Sequence, residues 1–176
     1  MAENEAIIAV MMNERVTSVS ELAKALYEQS RYGEIKEEKI QYSLVEALYL
    51  LEKGKLVLKD LRDKDIVIDK VLKKAIKLEP NFWVRYIAYR DMRNRGYIVK
   101  TALKFGADFR IYDRGVKPGD DHAKWILYPV HESSALTWYE FAAKNRVAHS
   151  TKKKLLLGIV DDENDITYYV CSWTRP

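Results

Sequence analysis

A single cysteine, Cys171, among 176 residues rules out an intrachain disulfide. The only histidines are His122, His131 and His149, and with Cys171 they show no zinc-type spacing. No carboxylate cluster compensates, so neither a metal nor another cofactor is expected. Glycine, at 7 residues, and proline, at 4, are scarce, and no Gly/Ser-rich linker or low-complexity stretch interrupts the chain. No apolar run approaches the ~18 residues that span a bilayer. The first twelve residues carry Glu3 and Glu5 and no basic cluster, unlike a signal peptide. These absences predict a soluble, cytoplasmic protein.

What is present describes a packed chain. The hydrophobic fraction is 48% and the charged fraction 32%, the latter above the usual ~25%. The net charge of +4 suits a polyanionic partner without requiring one.

Periodicity and capping signals give a mixed α/β reading. Ser18-Val-Ser-Glu21 and Ser43-Leu-Val-Glu46 read as capping boxes opening two helices, the first through about Ser30 and the second ending before Gly54. Residues 34–40 and 55–58 read as strands, and Ile68 to Leu78 as a third helix. Glu79-Pro80-Asn81 marks a boundary, because proline disfavours helix at the residue before it. It divides the chain into a mixed α/β domain, residues 1–79, and a second domain, residues 80–176. The second opens with a helix from Asn81 to Asn94. Strands follow at 97–101, 107–112, 124–130 and 155–160, with a helix from Thr137 to about Val147 between the last two. Asp161 to Asp165 reads as a hairpin turn into a final strand, Ile166 to Trp173.

Three stretches of the second half carry candidate chemistry: residues 95–115 ending in Ile111-Tyr112-Asp-Arg-Gly115, His122 with Lys124, and residues 146–157 beginning Arg146-Val-Ala-His-Ser and holding Lys152-Lys153-Lys154. A tyrosine, a histidine and a lysine near strand ends suit RNA cleavage by internal transesterification. That reaction needs a base for the 2′-hydroxyl, an acid for the departing 5′-oxygen and a fixed cation for the phosphorane. Histidine is the natural acid near neutral pH, and a lysine aimed at developing charge stabilises the transition state. A tyrosine, ordinarily of pKa ~10, is a poor base unless cations such as Lys153 favour its phenolate. Taken alone, each residue has a plainer reading: strand-end packing for Tyr112, an inert surface position for His122, a solvated basic edge for the lysines.

Longer words change that balance. Tyr89-Arg-Asp, Arg95-Gly-Tyr-Ile-Val-Lys-Thr, Lys104-Phe-Gly-Ala-Asp-Phe-Arg-Ile-Tyr, His122, Arg146-Val-Ala-His-Ser and Val160-Asp with Tyr168-Tyr169 occur in this order. Together they resemble the archaeal tRNA-splicing endonuclease family over residues 85–169. Tyr32-Gly and Leu44-Val-Glu-Ala-Leu-Tyr-Leu extend the similarity into the first half. The resemblance implies a restriction-endonuclease-like α/β catalytic domain and metal-independent cutting of precursor tRNA at bulge-helix-bulge motifs. The products would be 2′,3′-cyclic phosphate and 5′-hydroxyl ends. It implies Tyr112 as general base, His122 as general acid and, by spacing within the lysine run, Lys153 as transition-state cation. Alanine follows His122 where the family often has serine, and Lys152 stands where arginine is commoner. Arg146 matches an arginine that helps clamp a flipped bulge base, and Trp173 and Arg175 are candidates for the second side.

The resemblance also implies assembly, because two cuts need two active sites at a fixed separation. A homotetramer is expected, or a heterotetramer with a structural subunit. Asp161, Asp162, Glu163 and Asp165 match an acidic turn that enters a basic groove of another subunit. Two rival readings are a non-catalytic structural subunit of the same complex and a helix-turn-helix DNA-binding regulator built on residues 19–29 and 44–53. The full triad argues against the first. The loop between those two helices is far longer than the usual three or four residues, which argues against the second.

Overall fold

The computed structural model describes residues 6–103 and 106–176. Lys104 and Phe105, part of one quoted motif, lie outside the described residues, as do Glu3 and Glu5. The chain divides into two units, one ending at Phe82 and the other starting at Trp83. Among the described residues no helix is long and apolar enough to cross a membrane.

The first unit contains β1 (Ile7–Met12), β2 (Arg15–Ser18), α1 (Glu21–Ser30), β3 (Glu34–Lys36), β4 (Lys39–Tyr42), α2 (Leu44–Glu52), β5 (Leu56–Lys59) and α3 (Ile68–Leu78). Its sheet runs β3-β4-β2-β1-β5, with β1 and β5 parallel. The alternation along β1 turns Ile7, Ala9 and Met11 inward and leaves Ile8, Val10 and Met12 outward. Helix α2 is buried from Leu44 to Leu50 and packs on β2, β4 and β5. Its start is fixed by a full capping box between Ser43 and Glu46. The buried Glu46 carboxylate also accepts a 2.9 Å hydrogen bond from Gly33 N–H, tying the turn after α1 to the central helix.

Three local features differ from expectation. The cap of α1 is Ser20, whose hydroxyl accepts from Ala23 N–H. Ser18 instead ends β2 and donates to the Ile8 carbonyl at 2.6 Å. Strands β1 and β2 were not anticipated, because Ile-Ile-Ala-Val-Met-Met is apolar on both faces and hides the period of two. The single strand expected over residues 34–40 is a hairpin. Its turn residues Glu37 and Glu38 have φ of 48° and 65°, positions normally marked by Asn or Gly. That hairpin stands between α1 and α2, so they do not form a helix-turn-helix.

The second unit holds α4 (Phe82–Asn94), which opens at the boundary, then β6 (Ile98–Thr101), β7 (Phe109–Tyr112), β8 (Trp125–His131), α5 (Trp138–Ser150), β9 (Lys154–Val160) and β10 (Ile166–Cys171). The sheet order is β10-β9-β8-β7-β6. Every pair is antiparallel except β8 and β9, which α5 connects. A second capping box, Thr137 with Glu140, starts α5. Helix α4 covers one face: Tyr89 packs on Phe109, Arg85 pairs with Asp108 at 2.7 Å, and the Tyr168 hydroxyl donates to Asp91 at 2.8 Å. Helix α5 covers the other, where Ala148 packs with Ile126, Tyr128 and Leu155. The chain is thus a mixed α/β protein with two sheets, as expected.

Two outcomes follow from this packing. At Gly33 (φ 76°) an added Cβ would meet Ile40 Cγ2 at 2.6 Å and the Gln41 carbonyl at 3.0 Å, whereas Gly54 (φ 64°) has open space. Gly33→Ala should therefore cost about 2–4 kcal/mol from left-handed strain plus overpacking, and Gly54→Ala about 1 kcal/mol from strain alone; urea denaturation of the full chain measures both. The buried Tyr168 hydroxyl is held protonated by burial and by its bond to Asp91. Tyr168→Phe should cost about 1–2 kcal/mol, and a double-mutant cycle with Asp91→Asn should show that the two losses are not additive.

Candidate active site and nucleic-acid interface

Strand register brings distant parts of the chain to one edge of the second sheet. Ile111 pairs with Trp125, and Trp125 pairs with Lys154. One step further toward that edge, Lys124 N–H donates to the Ile111 carbonyl and Lys154 N–H to the Lys124 carbonyl. Directly paired residues share a face, and successive residues alternate. Tyr112 at the end of β7 and Lys153 before β9 therefore lie in a row along that edge, with Lys124, before β8, between them in the strand order. Of the three consecutive lysines Lys153 alone is half-buried; Lys154 and Lys152, the latter in a turn with φ 55°, are exposed.

Each member of the row is held differently. The Tyr112 ring is buried against Ile98, Ala123 and Val116. Because Ala123 packs on Tyr112, the adjacent His122 is brought to the same edge; its side chain is exposed, and its N–H bonds the Asp121 carboxylate at 2.6 Å. Lys153 is half-buried and its ammonium donates to the Thr151 carbonyl at 2.7 Å. Burial first, and then the charge of Arg110, hold that ammonium below the usual lysine range. Arg110 lies two residues before Tyr112 on the same strand and face. Beside the row, Lys124 pairs with Asp113 at 2.8 Å, and this bond with the Arg114 N–H keeps the Asp113 carboxyl below its usual range. Among the described residues no three His, Cys, Asp or Glu side chains converge as a metal site would.

A cleft of about 790 Å³ lies between α5 and the chain after β10, lined by Asn145, Arg146, His149, Cys171 and Trp173 among others. A smaller one of about 200 Å³ shares Asn145, His149 and Trp173 and reaches Lys153. Arg146 and Trp173 thus line the larger cleft together, and Trp173 also lines the smaller one with Lys153, whereas Arg175 lines neither cleft. His149 and Asn145 were not singled out from the sequence. His149 packs on Trp173 with ring centroids 4.7 Å apart. The available signal was spacing: Ala142, Asn145, Arg146 and His149 fall at i, i+3, i+4 and i+7 on one side of α5.

The acidic turn joins β9 to β10. Asp161 accepts from Asp165 N–H at 2.8 Å, and Asp162 lies 3.2 Å from His131 Nε2. Asp162, Glu163 and Asp165 are exposed, while Asn164 is tied to the Trp83 indole at 2.6 Å. Strand β10 forms the sheet's edge with Tyr169 and Val170 more than half exposed, an apolar edge of the kind natural proteins cover.

Comparison with known proteins gives a consistent result. Residues 82–168 match the tRNA intron endonuclease catalytic C-terminal domain, and residues 7–72 match the N-terminal domain of the same family. The chain is 43% identical over 155 residues to a tRNA-splicing endonuclease of Methanothermobacter thermautotrophicus, covering 88% of this chain and 89% of that protein. It is 51% identical over 140 residues to that of Nanoarchaeum equitans, covering 76% and 88%. With the Pyrococcus abyssi protein of the same name it shares 37% identity over 166 residues, 94% and 95% of the two chains.

The electrostatics of the edge can be tested directly. Arg110→Gln removes one of the two causes that depress Lys153, so its titration, followed by NMR of the lysine side chain, should move upward. It should stop short of the ordinary lysine value because burial remains.

Proposed function

The chain belongs to the tRNA intron endonuclease family, and on that premise we propose that it is a catalytic subunit cutting precursor tRNA at bulge-helix-bulge intron boundaries without a metal. The observation that carries this reading is the strand register that brings the end of β7 at Tyr112, the segment from His122 and the start of β9 at Lys153 to one edge of the sheet.

In the proposed reaction Tyr112 takes the proton of a 2′-hydroxyl, whose oxygen attacks the adjacent phosphorus. The P–O5′ bond breaks as His122 donates a proton to the leaving 5′-oxygen. A 2′,3′-cyclic phosphate and a 5′-hydroxyl result, in a lyase-type cleavage. Lys153 faces the charge that develops on the phosphorane, where a fixed cation acts as an oxyanion-hole donor does. Arg146 and Trp173 line the same cleft, and an unpaired base stacked between a guanidinium and an indole suits their chemistry. Arg175, the other candidate for the second side of that clamp, does not line it. Such recognition reads RNA shape, since the A-form major groove is closed to side chains.

Two cuts per intron call for two active sites, and a homotetramer supplies them; a heterotetramer with a structural subunit is the alternative. Pairing of the exposed edge β10 with its counterpart would cover Tyr169 and Val170. Entry of the turn bearing Asp161, Asp162, Glu163 and Asp165 into a basic groove would join dimers. A purely structural role is disfavoured, because a scaffold has no use for Tyr112, His122 and Lys153 together.

The purified chain, incubated alone with end-labelled precursor tRNA in excess EDTA, should make two cuts with cyclic-phosphate ends. His122→Ala should slow them by about 10²–10⁴-fold, the usual worth of a general acid. Binding without cleavage by the wild type would point to a missing partner subunit. Neither binding nor cleavage would overturn the reading.

A further inference from the structure

Helix α3 of the first unit carries Lys70, Lys73, Lys74 and Lys77, all exposed. Their spacing of i, i+3, i+4 and i+7 aligns them as one stripe, about 10 Å long at ~1.5 Å per residue. The opposite side of the helix, with Val71 and Ala75, is buried and packs toward α2. The only acid on the helix is Asp69, so α3 has a net charge of +3 in a chain whose total is +4. No ion pair is formed by any of the four lysines among the described residues. Lys74 donates to the Asn13 carbonyl, and Lys70 acts on Asp60 only at longer range. Helix α1 differs: its one lysine, Lys24, is matched with Glu21 at 2.8 Å, and Arg31, which caps it, with Glu28 at 2.9 Å.

Like charges at these spacings repel and weaken a helix, and a polyanion laid along the row would relieve that repulsion. We propose that the α3 lysine stripe binds the phosphate backbone of the RNA substrate, as a second contact surface carried by the unit without the cleavage residues. This rests on the reading of the substrate as precursor tRNA. Lysines are point charges without the planar fork that reads base edges, and no aromatic residue interrupts the stripe. The contact would position RNA without selecting sequence.

The test uses the full chain carrying Lys70→Gln, Lys73→Gln and Lys77→Gln together, with Lys74 kept for its bond to Asn13. Glutamine preserves helix propensity. Binding of precursor tRNA is measured in EDTA across a salt series, alongside single-turnover cleavage at saturating RNA. Removing three phosphate contacts should weaken low-salt binding by about 10–100-fold and make the log–log salt slope shallower by about 2–3. Cleavage at saturation should stay within about twofold, and Lys→Arg at the same positions should restore affinity and slope. Unchanged affinity and slope in the glutamine variant, with wild type cutting normally, would overturn the stripe while leaving the nuclease reading intact. So would an altered sedimentation profile with unchanged RNA binding, which would assign the stripe to a protein contact. Failure of the wild type itself to bind or cut would instead defeat the underlying reading and the stripe with it.

Discussion

The second unit depends on one pairing, the parallel alignment of β8 and β9 through α5. Parallel neighbours start at the same edge, so the residues before both strands, His122 to Lys124 and Lys152 to Lys153, meet there. The antiparallel partner β7 ends at that edge and delivers Tyr112. A one-residue slip of β9 would exchange Lys153 for a neighbour and turn its side chain to the other face. The register is therefore as much a chemical constraint as a structural one.

Packing on both faces holds that register. Helix α5 is the crossover and also covers one face of the sheet, with Ala148 seated on Ile126 and Leu155. Helix α4 grips the other face through Tyr89 on Phe109, Arg85 with Asp108, and Asp91 with the Tyr168 hydroxyl. Two of the recognised words, Tyr89-Arg-Asp91 and Tyr168-Tyr169, are thus joined by one hydrogen bond. Part of what makes the sequence recognisable is scaffold that keeps the reacting edge aligned.

Legibility followed the physics of each element. The starts of α2 and α5 were readable at their caps, Ser43 with Glu46 and Thr137. Strand β1 was not, because its outward residues Ile8, Val10 and Met12 are as apolar as its inward ones. The β3–β4 turn was hidden because Glu37 and Glu38 occupy backbone conformations that composition assigns to Asn and Gly. Site residues found through the resemblance, Tyr112, His122 and Lys153, lie at strand ends, which a linear pattern marks only as boundaries. Arg110, whose charge acts on Lys153, and His149, which packs on Trp173, depend on pairings between distant segments. For Arg110 no local signal announces this, and for His149 only its helical spacing with Ala142, Asn145 and Arg146 does.

The central claim is that His122 serves this edge as the acid for the leaving 5′-oxygen. Single-turnover cleavage in EDTA of an RNA whose scissile 5′-oxygen is replaced by sulfur tests it most directly, because a thiolate departs without a proton. The account predicts that this substrate restores cleavage by His122→Ala toward the wild-type rate and leaves Lys153→Ala impaired. A His122→Ala enzyme equally slow on both substrates would contradict it.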